Sequence, residues 1–304
     1  MNVLEIAGLC KHFGKQTVID GLEMTVPEGS VFGFIGRNGS GKTTTMKMVL
    51  GLLCADAGTI SVCTEPVRFG STTTNRQIGY LPDVPEFYGY MTASQYLALC
   101  GEVIGLSAQE TQSRSTELLA LVGLSAEKKR IGGYSRGMKQ RLGIAQALIG
   151  RPKLLICDEP TSALDPVGRK DILDILREIA RETTVIFSTH ILADVERICD
   201  RVALLEGGRI AFGGSLHALK AQHGARKLSV TFEHAEDARY LKEQAALSPF
   251  LAESEDAQTL CFKGQDLAAL EHTLFQALAE TKLCVARVEV MEPSLEELFL
   301  EVVR

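Results

Sequence analysis

The stretch Val31-Phe32-Gly33-Phe34-Ile35-Gly36-Arg37-Asn38-Gly39-Ser40-Gly41-Lys42-Thr43-Thr44 decides the fold. Val31 to Ile35 is a short apolar run and reads as a buried strand. Thr45-Met46-Lys47-Met48-Val49-Leu50 follows with helical character. Strand, glycine-rich turn and helix form the setting a phosphate-binding loop requires, and G-x-x-x-x-G-K-[ST] is matched by Gly36, Gly41, Lys42 and Thr43. Glycines let the backbone fold tightly enough for its N–H groups to converge on an anion. The helix beginning near Lys42 adds the positive end of its dipole. Lys42 supplies a mobile point charge for β- and γ-phosphates, and the Thr43 hydroxyl can ligand Mg²⁺. Arg37, Asn38, Gly39, Ser40 and Thr44 complete the cradle. The bland alternative is a glycine turn that binds nothing. The strand before it and the helix after it argue against that.

Working outward, 304 residues leave room for about two domains of roughly 150 residues each. The formal net charge of −6 argues against nucleic acid as the main partner, which shows as a basic domain or stripe. Met1-Asn2-Val3-Leu4-Glu5 lacks the basic and apolar parts of a signal peptide. No apolar run approaches the roughly 18 residues that span a bilayer. If the protein serves a membrane process, another chain does the spanning. The eight cysteines (Cys10, Cys54, Cys63, Cys100, Cys157, Cys199, Cys261 and Cys284) form no C-x-x-C pair. They read as small core residues of a reducing cytosol.

Before the phosphate loop, residues 2–9 alternate, 11–15 read as a turn, and Val18 to Leu22 as a second strand: an antiparallel start. Phe13 lies in that expected turn, either as a ring that stacks on a purine or as a partly buried turn aromatic. After the loop, Ala57 to Val62 reads as a strand. Ile78 to Pro85 reads as one broken by Pro82 and Pro85. Thr92 to Leu124 is helical in period, a small helical insertion. Ser135 is a plausible cap for a helix through Leu148. By itself, a capped helix is the plainer reading there.

Leu154-Leu155-Ile156-Cys157-Asp158-Glu159 is an apolar strand ending in two acids, as suits a central parallel strand. Its C-terminal end is where open α/β sheets bind ligands. Asp158 can reach a Mg²⁺ shell and Glu159 can take a proton from attacking water. Thr184 to Thr189 is another buried strand, with His190 at its end. A glycine-glycine hairpin follows at 207–208, then a boundary near 218–225. The tail, with Lys227 to Phe232, Leu260 to Phe262 and Cys284 to Val290 as strands and Pro293 opening a last helix, reads as a compact α+β module.

Together these segments resemble the nucleotide-binding subunit of ABC transporters, over residues 1 to about 215. Phe13 matches the adenine-stacking aromatic, Gly36 to Thr44 the Walker A loop, and Tyr134 to Gln140 the ABC signature. Leu154 to Glu159 matches Walker B with its catalytic glutamate, Ser162 to Asp165 the D-loop, and His190 the switch histidine. Two positions depart from the family. The signature, usually Leu-Ser-Gly-Gly-Gln, is Tyr134-Ser135-Arg136-Gly137-Met138, and the Q-loop glutamine is Asp83. Tyr80-Leu81-Pro82-acid, this signature type and the tail Glu292-Pro293-Ser294-Leu295-Glu296-Glu297-Leu298-Phe299 are similar to bacterial export ATPases of the daunorubicin- and bacitracin-resistance type.

The resemblance implies a P-loop NTPase core of α/β class in residues 1–217. That core carries an antiparallel β subdomain and a helical subdomain at about 86–150. It also implies a small α+β domain at 226–304. It implies ATP and Mg²⁺ as cofactors, with Phe13, Val18 and residues 36–44 binding nucleotide and Thr43, Asp83 and Asp158 at the metal. It implies Lys42, Glu159 and His190 as the catalytic set. Ser135, Arg136, Gly137 and Met138 would touch ATP held by the opposite subunit, and Asp165 would couple the two sites. The partners implied are a second copy (or a close relative) arranged head to tail, and a separately encoded permease, with no nucleic acid. The implied place is the cytoplasmic face of the cell membrane, exporting a drug, antibiotic, lipid or peptide. The rival class is a soluble ABC ATPase that moves no solute.

Overall fold

The computed structural model describes residues 1–223, 227–244, 247–252, 256–264, 267–281, 283, 285–292 and 294–302. Met1–Leu216 and His217–Val302 are two compact units.

The first unit opens with β1 (Asn2–Phe13) and β2 (Gln16–Pro27), paired antiparallel. The expected turn at 11–15 is shorter than read. β1 runs through Phe13, and only Gly14 and Lys15 turn, with Gly14 at φ +60°. β3 (Val31–Ile35) leads through the glycine loop to α1 (Lys42–Val49), as the sequence predicts. β4 (Ala57–Val62) and β5 (Glu65–Pro66) complete a four-stranded sheet ordered β2-β1-β4-β5.

β6 (Ile78–Leu81) stops at the first proline. The helical stretch then breaks into α2 (Ala93–Val103) and α3 (Ala108–Leu121). Each begins with a capping box, Thr92 with Gln95 and Ser107 with Glu110. Gly105, at φ +82°, ends the first of them. α4 (Arg136–Leu148) is capped by Ser135, whose hydroxyl accepts from the Met138 N–H at 3.2 Å. β7 (Leu154–Asp158), α5 (Pro166–Ile179), β8 (Thr184–Thr189), α6 (Leu192–Ile198), β9 (Arg201–Glu206) and β10 (Arg209–Ser215) follow.

The main sheet is ordered β10-β9-β3-β8-β7-β6. β9, β3, β8, β7 and β6 are parallel, and β10 is an antiparallel edge. The phosphate loop, the two acids and the histidine thus leave neighbouring strands at the same end of the sheet. α1 packs on β7, α6 on β3 and β8, and α4 on β6. Leu154, Leu155, Ile156 and Cys157 are wholly buried, at about 1.5–3 kcal/mol for each large apolar side chain.

α7 (Leu216–His223) occupies most of the stretch read as the boundary, whose residues 224 and 225 lie outside the described residues. The second unit holds β11 (Lys227–Phe232), α8 (Ala235–Lys242), β12 (Thr259–Lys263), α9 (Leu267–Thr281), β13 (Val285–Met291) and α10 (Leu295–Val302). Its sheet is antiparallel, ordered β12-β11-β13. Pro293 and Cys284 lie outside the described residues. Of the other cysteines, Cys157, Cys199 and Cys261 are buried, Cys54 is exposed and the rest are half-buried. Burial pushes the Cys157 and Cys199 thiols up, so neither is a ready nucleophile.

Candidate active site

The loop after β3 admits no side chain at two of its glycines. A Cβ on Gly36 would stand 2.5 Å from Ser40 Oγ, and one on Gly41 2.6 Å from Ile19 Cδ1. Gly41 also has φ +109°, a conformation that costs any other residue strain. As the cap of α1 it brings no side chain to the first N–H groups of the helix, which are left for an anion. Ser40 Oγ is buried and accepts or donates no hydrogen bond among the described residues, as a group facing a ligand would be. Lys42 Nζ donates to Gly36 O at 2.7 Å and Arg37 O at 3.3 Å, folded over its own loop. Val18 lies beside Gly41: a Cβ there would meet Val18 Cγ1 at 3.3 Å.

Next to the loop stand the acids. Asp158 is 3% exposed. Its Oδ2 accepts from Thr43 Oγ1 at 2.7 Å and its Oδ1 from Ser188 Oγ at 2.9 Å. Two donors are what a buried carboxylate needs. Glu159 is past the strand end, in the left-handed region at φ +49°. That geometry is strained for a glutamate and is held by its N–H donating to Ser188 O at 2.9 Å. It aims the carboxylate between a lysine and a histidine. Oε2 lies 2.9 Å from His190 Nδ1, and Oε1 lies 3.4 Å from Lys42 Nζ without making a hydrogen bond.

Thr43 and Asp158 offer oxygen donors, the chemistry Mg²⁺ takes when substrate phosphates supply the rest. Among the described residues no cluster of three or more histidines, cysteines or acids exists that would hold a metal by protein ligands alone. The hydrogen bonds of the Asp83 carboxylate go to residues other than Thr43 and Asp158. Asp83 Oδ1 accepts from Ser162 Oγ at 2.7 Å and from Arg136 Nη2 at 3.3 Å. The shorter side chain is captured by donors on its own side of the loop. Tyr80, on β6, lies close enough to feel both acids: burial, then Asp158 and Asp83, push its phenol up to about 12.

The remaining expected residues are spread around this centre. Phe13 is 49% exposed, with Lys11 Nζ 5.5 Å from its ring centroid. Arg37 and Asn38 are exposed. Asp165 caps α5, its carboxylate accepting from Gly168 N–H at 2.7 Å. Among the described residues, no side-chain hydrogen bond or ion pair joins Ser135 to Met138 with the phosphate loop of the same chain. Sequence reasoning missed Ser188, the hydroxyl that orients Asp158. Its signal was a polar residue directly after the apolar run Val185-Ile186-Phe187. It also missed Asp194, 2% exposed, which takes Thr161 Oγ1 at 2.7 Å and Arg169 Nε at 2.5 Å.

A family profile described as ABC transporter matches residues 19–162, and one described as the C-terminal domain of DrrA1-3-like ATP-binding proteins matches residues 214–303. The uncharacterized ABC transporter ATP-binding protein YxlF of Bacillus subtilis (strain 168) is 39% identical over 309 aligned residues, covering 99% of each chain. The chain belongs to the ABC transporter ATP-binding family. Its ABC relatives include the bacitracin transport ATP-binding protein BcrA of Bacillus licheniformis, 39% identical over 68% of each chain. They also include a Nod factor export ATP-binding protein of Rhizobium sp. (strain N33), 40% identical over 72% of this chain and 73% of that one. These fall in the export branch that the sequence resembles. A solved structure of the ATP-binding subunit of an ABC transporter superposes with TM-score 0.65 at 33% identity, covering 72% of this chain and 92% of that one. Members of the family bind ATP and are ATPases coupled to transport, and this ABC subunit is one of them. Among the described residues no helix is long and apolar enough to cross a membrane.

Proposed function

We propose that this subunit hydrolyses ATP at the junction of Lys42, Glu159 and His190, and that two copies close head to tail around two nucleotides to drive export through a separate permease. The observation that carries the reading is the Glu159 carboxylate standing between Lys42 and His190, next to the Thr43–Asp158 pair. The family resemblance supplies the dimer.

The phosphates of ATP draw Lys42 Nζ from the Gly36 and Arg37 carbonyls, since a phosphate oxygen is a stronger acceptor than a peptide oxygen. That removes the cation from Glu159 Oε1, which is then free to take the proton of the attacking water. His190 Nδ1 fixes the other oxygen of Glu159 and leaves its second ring nitrogen for the γ-phosphate. Thr43 and Asp158 would hold Mg²⁺, which supplies positive charge against the phosphate oxygens. Phe13 and Val18 receive the base and sugar side. Ser135, with Arg136, Gly137 and Met138 at the start of α4, meets the γ-phosphate of the opposite subunit, and Asp165 joins the two sites. ATP thus favours the closed pair over the open one and shifts the population. The family resemblance points to export of a drug, antibiotic, lipid or peptide from the cytoplasmic face of the membrane, and the names of the bacitracin transport and Nod factor export relatives agree with an export role.

The test is affinity purification of the Glu159→Gln chain from detergent-solubilised membranes in the presence of ATP. A co-purifying polytopic protein without an ATPase domain is the expected result. Recovery of soluble partners alone would overturn the transport reading.

A further inference from the structure

α4 grips the segment after β6 along one face. A Cβ on Gly79 would stand 2.3 Å from Ala147 O, and one on Gly143 would stand 2.6 Å from Leu81 Cδ1 and 3.3 Å from Pro85 Cβ. Gln140, fully buried, donates from Nε2 to the Asp83 backbone oxygen at 2.9 Å. Arg136 Nη2 reaches the Asp83 carboxylate at 3.3 Å. Positions 136, 140, 143 and 147 are three or four residues apart and lie on one helix face. Residues 79–85 and α4 therefore form one packed body.

This body is tied to the strand of the acids by the β6–β7 ladder, which ends at Leu81↔Cys157. Beyond the ladder, the side-chain hydrogen bonds from this body to the turn of Glu159 meet at Ser162. Asp83 Oδ1 accepts from Ser162 Oγ at 2.7 Å, and Arg136 Nη2 closes the triangle 3.2 Å from the same Ser162 Oγ. Ser162 belongs to the turn of Glu159: its N–H donates to Glu159 O at 3.1 Å. The hydroxyl–carboxylate bond is short and charge-assisted. The Arg136 contact is longer, between side chains 44% and 47% exposed, and contributes little by itself.

We propose that Asp83 is a positioning residue: its carboxylate, through Ser162, holds the start of α4 in register with the Glu159 turn of the same subunit. This rests on the reading of Glu159 as the base. It departs from a metal-ligand role for the position.

The test uses the full-length chain, with steady-state ATP turnover, Mg²⁺ titration and binding of a fluorescent ATP analogue. Asp83→Ala and Ser162→Ala each lower kcat about tenfold, and the double variant falls no lower than the worse single one. Asp83→Asn keeps an acceptor in reach of Ser162 and restores most of the turnover. The Mg²⁺ midpoint and analogue affinity stay within about twofold in all of them. Two results overturn the proposal. One is an Asp83→Asn chain as slow as Asp83→Ala with its Mg²⁺ midpoint raised about tenfold, which makes Asp83 a metal ligand. The other is losses that multiply in the double variant, which makes the two residues independent. Glu159→Gln, measured alongside, separates the two readings. Normal turnover in that variant removes the base. A slow Glu159→Gln beside multiplying losses removes the positioning role alone.

Discussion

The two sheets bury different chemistry. At the C-terminal ends of β7 and β8, the first unit buries Asp158, Ser188 and Thr189, with Lys42, Thr161 and Asp194 close by in the chain segments that follow or face them. The second unit's described core is apolar: Leu228, Val230, Phe232, Leu260 and Phe262 from the sheet, with Leu241, Leu270 and Leu274 from its helices. Ser229 is the polar residue buried among its described strands. Burying polar groups is costly unless each finds a partner. The first unit carries much of that cost at this end, where Asp158 pairs with Ser188 and Asp194 with Thr161. The second avoids it. Polar burial concentrated at strand ends marks where chemistry is held, and apolar burial marks where only folding is served.

Lys42→Ala breaks the comparison hardest. Removing the phosphate-side cation lowers ATP turnover by at least about 10²-fold, the scale of one lost charge-stabilising group. Turnover within tenfold of the parent in a coupled phosphate-release assay would take Lys42 out of the site. Phe262→Ala, in the second unit, costs about 3–5 kcal/mol in denaturant unfolding. Binding of a fluorescent ATP analogue stays unchanged. Loss of that binding would show the apolar core to be part of the nucleotide site.

Ser188→Ala sharpens the contrast from within the first unit. It strips one donor from buried Asp158 and costs about 1–3 kcal/mol. An unchanged unfolding midpoint would mean that Asp158 finds another donor. The smallest effect is a pH effect. Tyr80 holds its proton more tightly folded than unfolded, from the ordinary 10.0 up to about 12. Between those values the unfolded chain deprotonates first and binds fewer protons, so stability falls as pH rises. Tyr96, pushed up to about 12 chiefly by burial, adds a second contribution of the same sign. Tyr80→Phe makes the alkaline loss shallower, which unfolding curves across that pH range measure directly.

What is local was legible in the sequence. Strand, glycine loop and helix lie within about twenty consecutive residues, and their meaning needs no distant partner. β3, β4, β8 and β11 begin and end at the residues read as strands from the sequence. The break between α2 and α3 was missed although Gly105 and the polar stretch 107–117 interrupt the apolar period there and Ser107-Ala108-Gln109-Glu110 spells a capping box. Asp83 shows the other limit. Its partners Ser162 and Arg136 are 79 and 53 residues away, and no local pattern tells which of two carboxylate environments it will enter. The same holds for Ser188, 30 residues from the acid it orients.

The most direct measurement is phosphate release by Glu159→Gln beside its binding of a fluorescent ATP analogue. The account predicts binding within about twofold of the parent and release slowed about 10² or more, the loss of a general base with the phosphate grip intact. Release at the parent's rate would contradict it.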